Sequence, residues 1–388
     1  MTSRFLRFST LSVILLTTSL WSCSTEKETT VTPQLRPKID YASLSDTATY
    51  ATRFLDEKKT STVDLTNGSN RLLMFRAINT YNGTAASTGA TLDAIQLKNM
   101  FANASSPFSG SLTTLNTSGV QLRSVTASSL PAGEAEKERL TIESGFTAMA
   151  NASKSVGQTA SEGKAGKLGT YLVDEKGIEW AQIIQKSLIG AFQLDYIANV
   201  LLSDKNLSAD NSTLVAGKNY TALEQNWDQI YGILTANPVY GGKATTTSSG
   251  ESFLGSYLWE YNKDGFAKIH PALLKGRAAI VNNDQQTLKA QATLLRTEME
   301  KAVASAAVGY LGKWKTGTTD AARAHAIGEG LGFIYSLRYA KLNGGDATFS
   351  DNLLTNLVYA APNGFWGLTN TKIDAAADAI RIEFKQLN

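Results

Sequence analysis

Apolar positions in this chain recur mostly at three- and four-residue intervals, and long alternating runs are missing. From residue 40 onward that spacing predicts helices joined by loops rich in Ser, Thr, Asn and Gly. The densest pattern lies at residues 174–202. Its apolar side chains, Ile178 and Trp180 through Val200 and Leu201, go almost all round the helix and mark it as central. Further helices are expected at 46–58, 69–81, 91–102, 133–154, 220–235, 253–261, 271–281, 284–308, 349–359 and 371–387. Pro131 with acids close behind it opens 133–154 as helix starts do. Residues 103–130 are polar and poorly periodic, which predicts irregular packed loops; 155–168 and 241–250 read as exposed loops.

The stretch 318–342 carries the most unusual pattern. His325 and Glu329 are four residues apart, so both project from one helix face. Gly328, Gly330 and Gly332 fall in the helix interior, where each costs about 1 kcal/mol relative to Ala. A close helix neighbour or a bound group must offset that cost. The face with His325, Gly328, Glu329 and Gly332 is expected to be buried against 174–202 and 220–235.

With no Asn-Gly between β-branched runs, the fold class is all-α: a multi-helix bundle with long polar loops. Residues 186–192 (KSLIGAF) and 329–335 (EGLGFIY) are faintly alike, which raises two related half-bundles as an arrangement.

The start of the chain adds an address. Arg4 and Arg7 precede an apolar run, residues 11–20, that ends at Ser22-Cys23. This is the layout of a secretory signal. A Cys directly after the small residue resembles a bacterial lipobox, which implies cleavage before Cys23 and acylation of its thiol. The expected division is a signal peptide at 1–22, a lipid-anchored flexible tether at 23–38 and a helical domain at 39–388. The expected location is the outer membrane, on its periplasmic or cell-surface side, with the membrane reached through the N-terminal lipid. Cys23 is the one cysteine, so a disulfide framework and a cysteine zinc site within the body are excluded. No other apolar run reaches the roughly 18 residues of a spanning helix. The chain holds 37 basic and 34 acidic residues; without residues 1–22 the counts are 35 and 34. No stretch is strongly basic, so no nucleic-acid partner is expected.

Three stretches carry a family resemblance: GIEWAQIIQKSLIGA at 177–191, YTALEQNWDQIYGIL at 220–234 and AHAIGEGLGFIYSL at 324–337. With the lipobox, they resemble a family of lipoproteins from Bacteroidetes, the domain-of-unknown-function family numbered 4856. The resemblance implies a helical body. It also implies a distant likeness to the imelysin-like envelope proteins, two-bundle helical proteins tied to iron uptake and once described as peptidases. The chain keeps Glu224, Trp227, Asp228 and Gly232, but has Gln225, Asn226 and Gln229 where the family pattern carries histidines and Glu. The imelysin Gly-x-His-x-x-Glu motif is absent.

Candidate chemistry centres on few residues. His325 and Glu329 have the spacing of two ligands in a helical metal site, for a divalent metal or iron. Further ligands would come from Glu224 and Asp228, again four apart, or from Glu179 and Asp195. The alternative is a polar network in which His325 is hydrogen-bonded to a carboxylate between packed helices. His270 precedes Pro271 and reads as a turn before a helix. Trp227, Tyr231 and Tyr335, with Trp180 and Phe333, are candidates to line a ligand pocket, or core residues at helical spacing. Phe365 and Trp366, between Gly364 and Gly367, read as a docking edge or a plug over a helix end. Hydrolase and nucleotide motifs (Gly-x-Ser-x-Gly, His-Glu-x-x-His, the Walker loop) are missing. Three functions stay open. One is a lipid-anchored envelope protein that binds a ligand or a partner protein, in metal or nutrient uptake. The second is a metal-dependent hydrolase on His325, Glu329, Glu224 and Asp228. The third is a structural part of an envelope assembly.

Overall fold

A computed structural model describes residues 32–45, 49–360 and 363–387. Cys23 and the signal-like segment lie outside the described residues. The first helices are α1 (Tyr50–Arg53), α2 (Thr66–Thr88), α3 (Ala94–Ala102) and α4 (Ala132–Ser153). A short antiparallel hairpin follows, β1 (Gly166–Leu168) on β2 (Tyr171–Val173), with Lys167 opposite Leu172. Next comes α5 (Trp180–Leu188), which runs on as a π-helix, Ile189–Leu201. Then come α6 (Asp204–Leu207), α7 (Ala222–Leu234), α8 (Leu254–Tyr261), α9 (Lys263–Val281), α10 (Gln285–Thr316) and α11 (Asp320–Ser336). The chain ends with α12 (Ala347–Leu354), its π-helical extension Thr355–Tyr359, and α13 (Asn370–Glu383). The fold is all-α, as the spacing predicts. Among the described residues no helix is long and apolar enough to cross a membrane.

Several boundaries differ from the periodicity, each for a local reason. The spacing predicts one helix over 46–58; among the described residues of that span only Tyr50–Arg53 is helical. The Asp56 carboxylate accepts from the backbone N–H of Lys58 and Thr60 at 2.9 and 2.8 Å, which closes a turn in place of the next helical turn. At 174–179 the Asp174 carboxylate does the same for Lys176 and Ile178, so the central helix begins at Trp180. The segment 103–130 is irregular as expected and holds two 3-10 turns, Gly110–Thr117 and Arg123–Val125. The segment expected at 271–281 begins at Lys263 instead. Asn262 caps it, and Pro271 sits inside α9 rather than at its start. Proline removes one backbone bond there. The neighbouring Ile269, Leu273 and Leu274 are fully buried, and that packing holds the helix across the defect. His270 is therefore in a buried helix, not in a turn.

The core is centred on α5 with its π extension, and on α11. A Cβ at Gly328 would meet the Glu179 Cβ at 3.2 Å; at Gly190, the Ser336 Cβ at 2.3 Å. The glycines thus allow the two backbones to touch. The two faintly similar stretches meet face to face along this seam. α10 backs α11 on its other side. The expected second partner of α11, the helix at 220–235, packs mainly on α2, α9 and the π segment. There Gly68 and Gly232 again allow backbone contact: a Cβ at Gly68 would be 2.5 Å from the Gln229 carbonyl.

Residues from Gln34 onward pack as one unit. Arg36, which the sequence places in the tether, is bonded to that unit: its guanidinium donates to the Glu224 carboxylate and, at 2.7 Å, to the Asn219 carbonyl. Phe365 packs against Gly177 and donates its backbone N–H to the Lys176 carbonyl, plugging the turn before α5.

Candidate functional site

The four expected metal ligands fall into two clusters that share no hydrogen-bond or ion-pair partner among the described residues. The first is on α7. Its capping box, Thr221 with Glu224, starts the helix and points the Glu224 carboxylate at α9. Arg277, fully buried on α9, donates to Glu224 at 2.8 Å and to Asp228 at 3.0 Å. Tyr50 donates to Asp228 at 2.9 Å. Burial pushes the Asp228 carboxyl up to about 6 against the pull of Arg277. Glu224 is also desolvated, but Arg277 and Arg36 outweigh that and hold it below the usual range. These carboxylates serve as counter-ions for buried guanidinium.

The second cluster lies across the α5–α11 seam. Its helix is capped by Thr319, which accepts from the Ala322 N–H. His325 sits between two carboxylates: Nδ1 is 2.7 Å from Glu179 and Nε2 is 3.2 Å from Glu329. Its ring stacks on Tyr171 of the hairpin, centroids 4.1 Å apart. Burial opposes a charged ring, yet the hydrogen bonds to Glu179 and Glu329 outweigh it and push His325 up to about 9. Both ring nitrogens lie within hydrogen-bond reach of a carboxylate, the arrangement that suits an imidazolium donating from each. Lys186, almost fully buried, lies 3.5 Å from Glu329 and 5.5 Å over the Tyr257 ring. Two carboxylates and two cations make the cluster neutral. Glu329 is pulled down to about 2: burial would raise it, but His325 and Lys186 prevail. Among the described residues no group of three or more His, Cys, Asp or Glu is arranged to hold a metal ion. Asp195, the other proposed ligand, is taken up by Ser129 and Asn199.

The pocket aromatics also divide. The Trp227 indole donates to the Leu273 carbonyl at 2.9 Å over Gly276. Tyr231 stacks on Tyr50 and donates to the Asn237 carbonyl, and Phe333 is buried among Tyr257 and Tyr310. These three are core. Trp180 and Tyr335 line a cavity of about 450 Å³ between α4, α5 and α12. Its walls are apolar: Ile142 and Ala148 on one side, Ile183 and Ile184 on the other, Leu354 and Tyr359 at the rim. Gly145 and Ser187 also line it, as do Lys137, Thr141 and Ser144 from the exposed side of α4. A second hollow of about 500 Å³ adjoins it, sharing Ala148, Trp180 and Tyr359.

Glu138 and Arg338 close the cavity's polar end. Arg338 donates to both Glu138 oxygens at 2.8 and 2.9 Å, to Asp351 at 2.6 Å and to Ser350 at 3.1 Å. Its guanidinium lies 3.9 Å over the Tyr335 ring, and the Tyr335 hydroxyl donates to Glu138. The Trp180 indole N–H is held by Asp174 at 2.7 Å, so its one polar atom is satisfied. Sequence reasoning missed Glu138 and Arg338. The signal was available for Arg338: it interrupts the apolar run 331–340. Glu138 gave none, because its partner is 200 residues away.

Fold and site together define an all-α bundle built on a glycine-packed helix pair, with a lateral apolar cavity ended by a buried ion pair. The chain belongs to the family described as Domain of unknown function (DUF4856), whose model matches residues 50–385. No curated protein and no solved structure matches it.

Proposed function

We propose that this is a lipid-anchored binding protein of the cell envelope whose ligand is an uncharged, largely apolar small molecule. The cavity between α4, α5 and α12 carries the reading. Its size and apolar lining suit a small organic ligand. Arg338, Glu138 and Asp351 satisfy one another at the polar end, so the only further charged side chain of the lining that a ligand would meet is the exposed Lys137. The rings of Trp180 and Tyr359 in the lining suit an apolar or ring-bearing ligand. The anchor rests on Arg4, Arg7, the apolar run and Ser22-Cys23. An outer-membrane location, a Bacteroidetes source and imelysin kinship belong to the same proposal. Iron or other metal uptake would need donors beyond the two clusters, since every carboxylate there already faces a cation. A hydrolase on Glu224, Asp228, His325 and Glu329 would need four side chains to converge that occupy separate clusters.

The test is titration with N-phenyl-1-naphthylamine, an uncharged apolar fluorophore. Saturable one-site binding that is lost in Ala148→Trp, which fills the cavity wall, supports the reading. Binding that is unsaturable, or identical in the variant, overturns it.

A further inference from the structure

Three leucines stand exposed where the chain enters the body: Leu35 at 38%, Leu55 at 38% and Leu214 at 48%. They border two adjoining hollows that share Arg36, Asp56 and Glu57. This face is cross-bonded. Asn219 donates from the 210–219 loop to the Ser61 carbonyl at 2.9 Å and to Asp56 at 3.2 Å. Arg36 donates to the Asn219 carbonyl and so ties in the segment that carries Leu35. Leu55 heads the turn closed by Asp56, in which Lys59 takes a left-handed conformation with φ 63°. Three separate segments thus hold apolar side chains outward on one rigid surface.

The rim of that surface is basic. Lys38, Arg53, Lys58 and Lys59 are exposed and line the same two hollows, against Asp56 and Glu57. The body as a whole is close to neutral, so this is a local excess. Apolar side chains ringed by Lys and Arg are the chemistry of a membrane interface: the apolar part enters the headgroup region and the cations meet anionic lipid. Connectivity points to the same surface. Cys23 lies eleven residues before Gln34, a reach of at most about 40 Å, and Leu35 directly follows Gln34.

We propose that the face of Leu35, Leu55 and Leu214 docks the body onto the anionic bilayer that holds its own lipid. The inference rests on the anchor proposed at Cys23. Its test uses the acylated protein purified from membranes and reconstituted in vesicles. Hydrogen exchange of 54–61 and 211–219 is compared in phosphatidylcholine–phosphatidylglycerol vesicles and in phosphatidylcholine vesicles at high salt. Exchange should slow by roughly tenfold on the anionic vesicles. The slowing should vanish in the variant Leu35→Ser, Leu55→Ser, Leu214→Ser, whose changes touch exposed side chains only. Equal exchange in all three samples overturns the proposal. Slowing that follows protein density rather than lipid charge assigns the face to a second copy or another protein, and also overturns it. The mass of the N-terminal peptide from the same sample separates the two readings. If Cys23 is unmodified the anchor reading fails, and the face is then judged by flotation with anionic vesicles. Flotation that the triple variant abolishes sustains the docking face, and its absence overturns it.

Discussion

Gly332 lies directly against Lys186: a Cβ on the glycine would stand 2.5 Å from the lysine's Cβ and 3.0 Å from the Ile183 carbonyl. The missing side chain lets α11 close on α5, and that closeness brings Lys186 to within 3.5 Å of Glu329. Gly332→Ala should therefore destabilise the protein, although alanine is the better helix former. Overpacking costs about 1–3 kcal/mol, against a propensity gain of about 1 kcal/mol. Gly328→Leu should do the same. Gly83→Ala and Gly312→Ala, at helix positions with open space around them, should instead stabilise by about 0.4–1 kcal/mol. Urea denaturation midpoints decide; the same sign in both groups would refute the seam argument.

Stability should depend on His325 at alkaline pH. Its folded pKa, about 9, lies above the ordinary 6.5. Its contribution is thus complete below about 6.5 and is lost as pH rises through about 9. Because the ring is partly exposed, the loss should be on the order of 2 kcal/mol. Glu329 works in the opposite direction: with a folded pKa near 2, its contribution is present above 4.5 and is lost as pH falls toward 2. Melting temperatures from pH 6 to 10, for the wild type and His325→Ala, test the alkaline limb. The variant should be less stable at pH 6.5 and flatter above it; parallel curves would exclude the imidazolium.

Metal should play no part in that loss. The network assignment expects Tm to be unmoved by chelator or added zinc, and elemental analysis to find the same content in wild type and His325→Ala. Stoichiometric metal that disappears with His325 would restore the ligand reading of this residue.

Arg277→Ala should cost about 3–5 kcal/mol, since it leaves Asp228 buried without a cation and Glu224 with Arg36 alone. Adding Glu224→Gln and Asp228→Asn should recover part of the loss by removing the uncompensated charge. Denaturation of the single and triple variants measures it, and a cost within 1 kcal/mol of zero would contradict the counter-ion role.

Cys23→Ser should move the protein from the membrane fraction to the soluble one. Retention at the wild-type level after a high-salt wash, which releases charge-dependent docking, would remove the lipid anchor from the proposed function.

The sequence alone determined the helical class, because the 3.6-residue spacing of apolar positions is a local property of each segment. It also exposed the α11 face, since three interior glycines cost helix propensity that only a close neighbour can offset. It identified His325 and Glu329 as partners, which the i,i+4 geometry makes unavoidable. It did not reveal what else would stand beside them. Glu179 and Lys186 reach that pair from α5, and Arg277 reaches Glu224 and Asp228 from α9. Which cations neutralise which carboxylates is set by tertiary packing over separations of 49 to 188 residues. That packing turned four candidate ligands into members of two charge-balanced clusters. It also put Glu138 beside Arg338 and opened a cavity next to them, where Trp180 and Tyr335 line the wall while Trp227 and Tyr231 stay in the core. All four aromatics have the same helical spacing, and only the neighbouring helix decides whether an aromatic meets a side chain or a space.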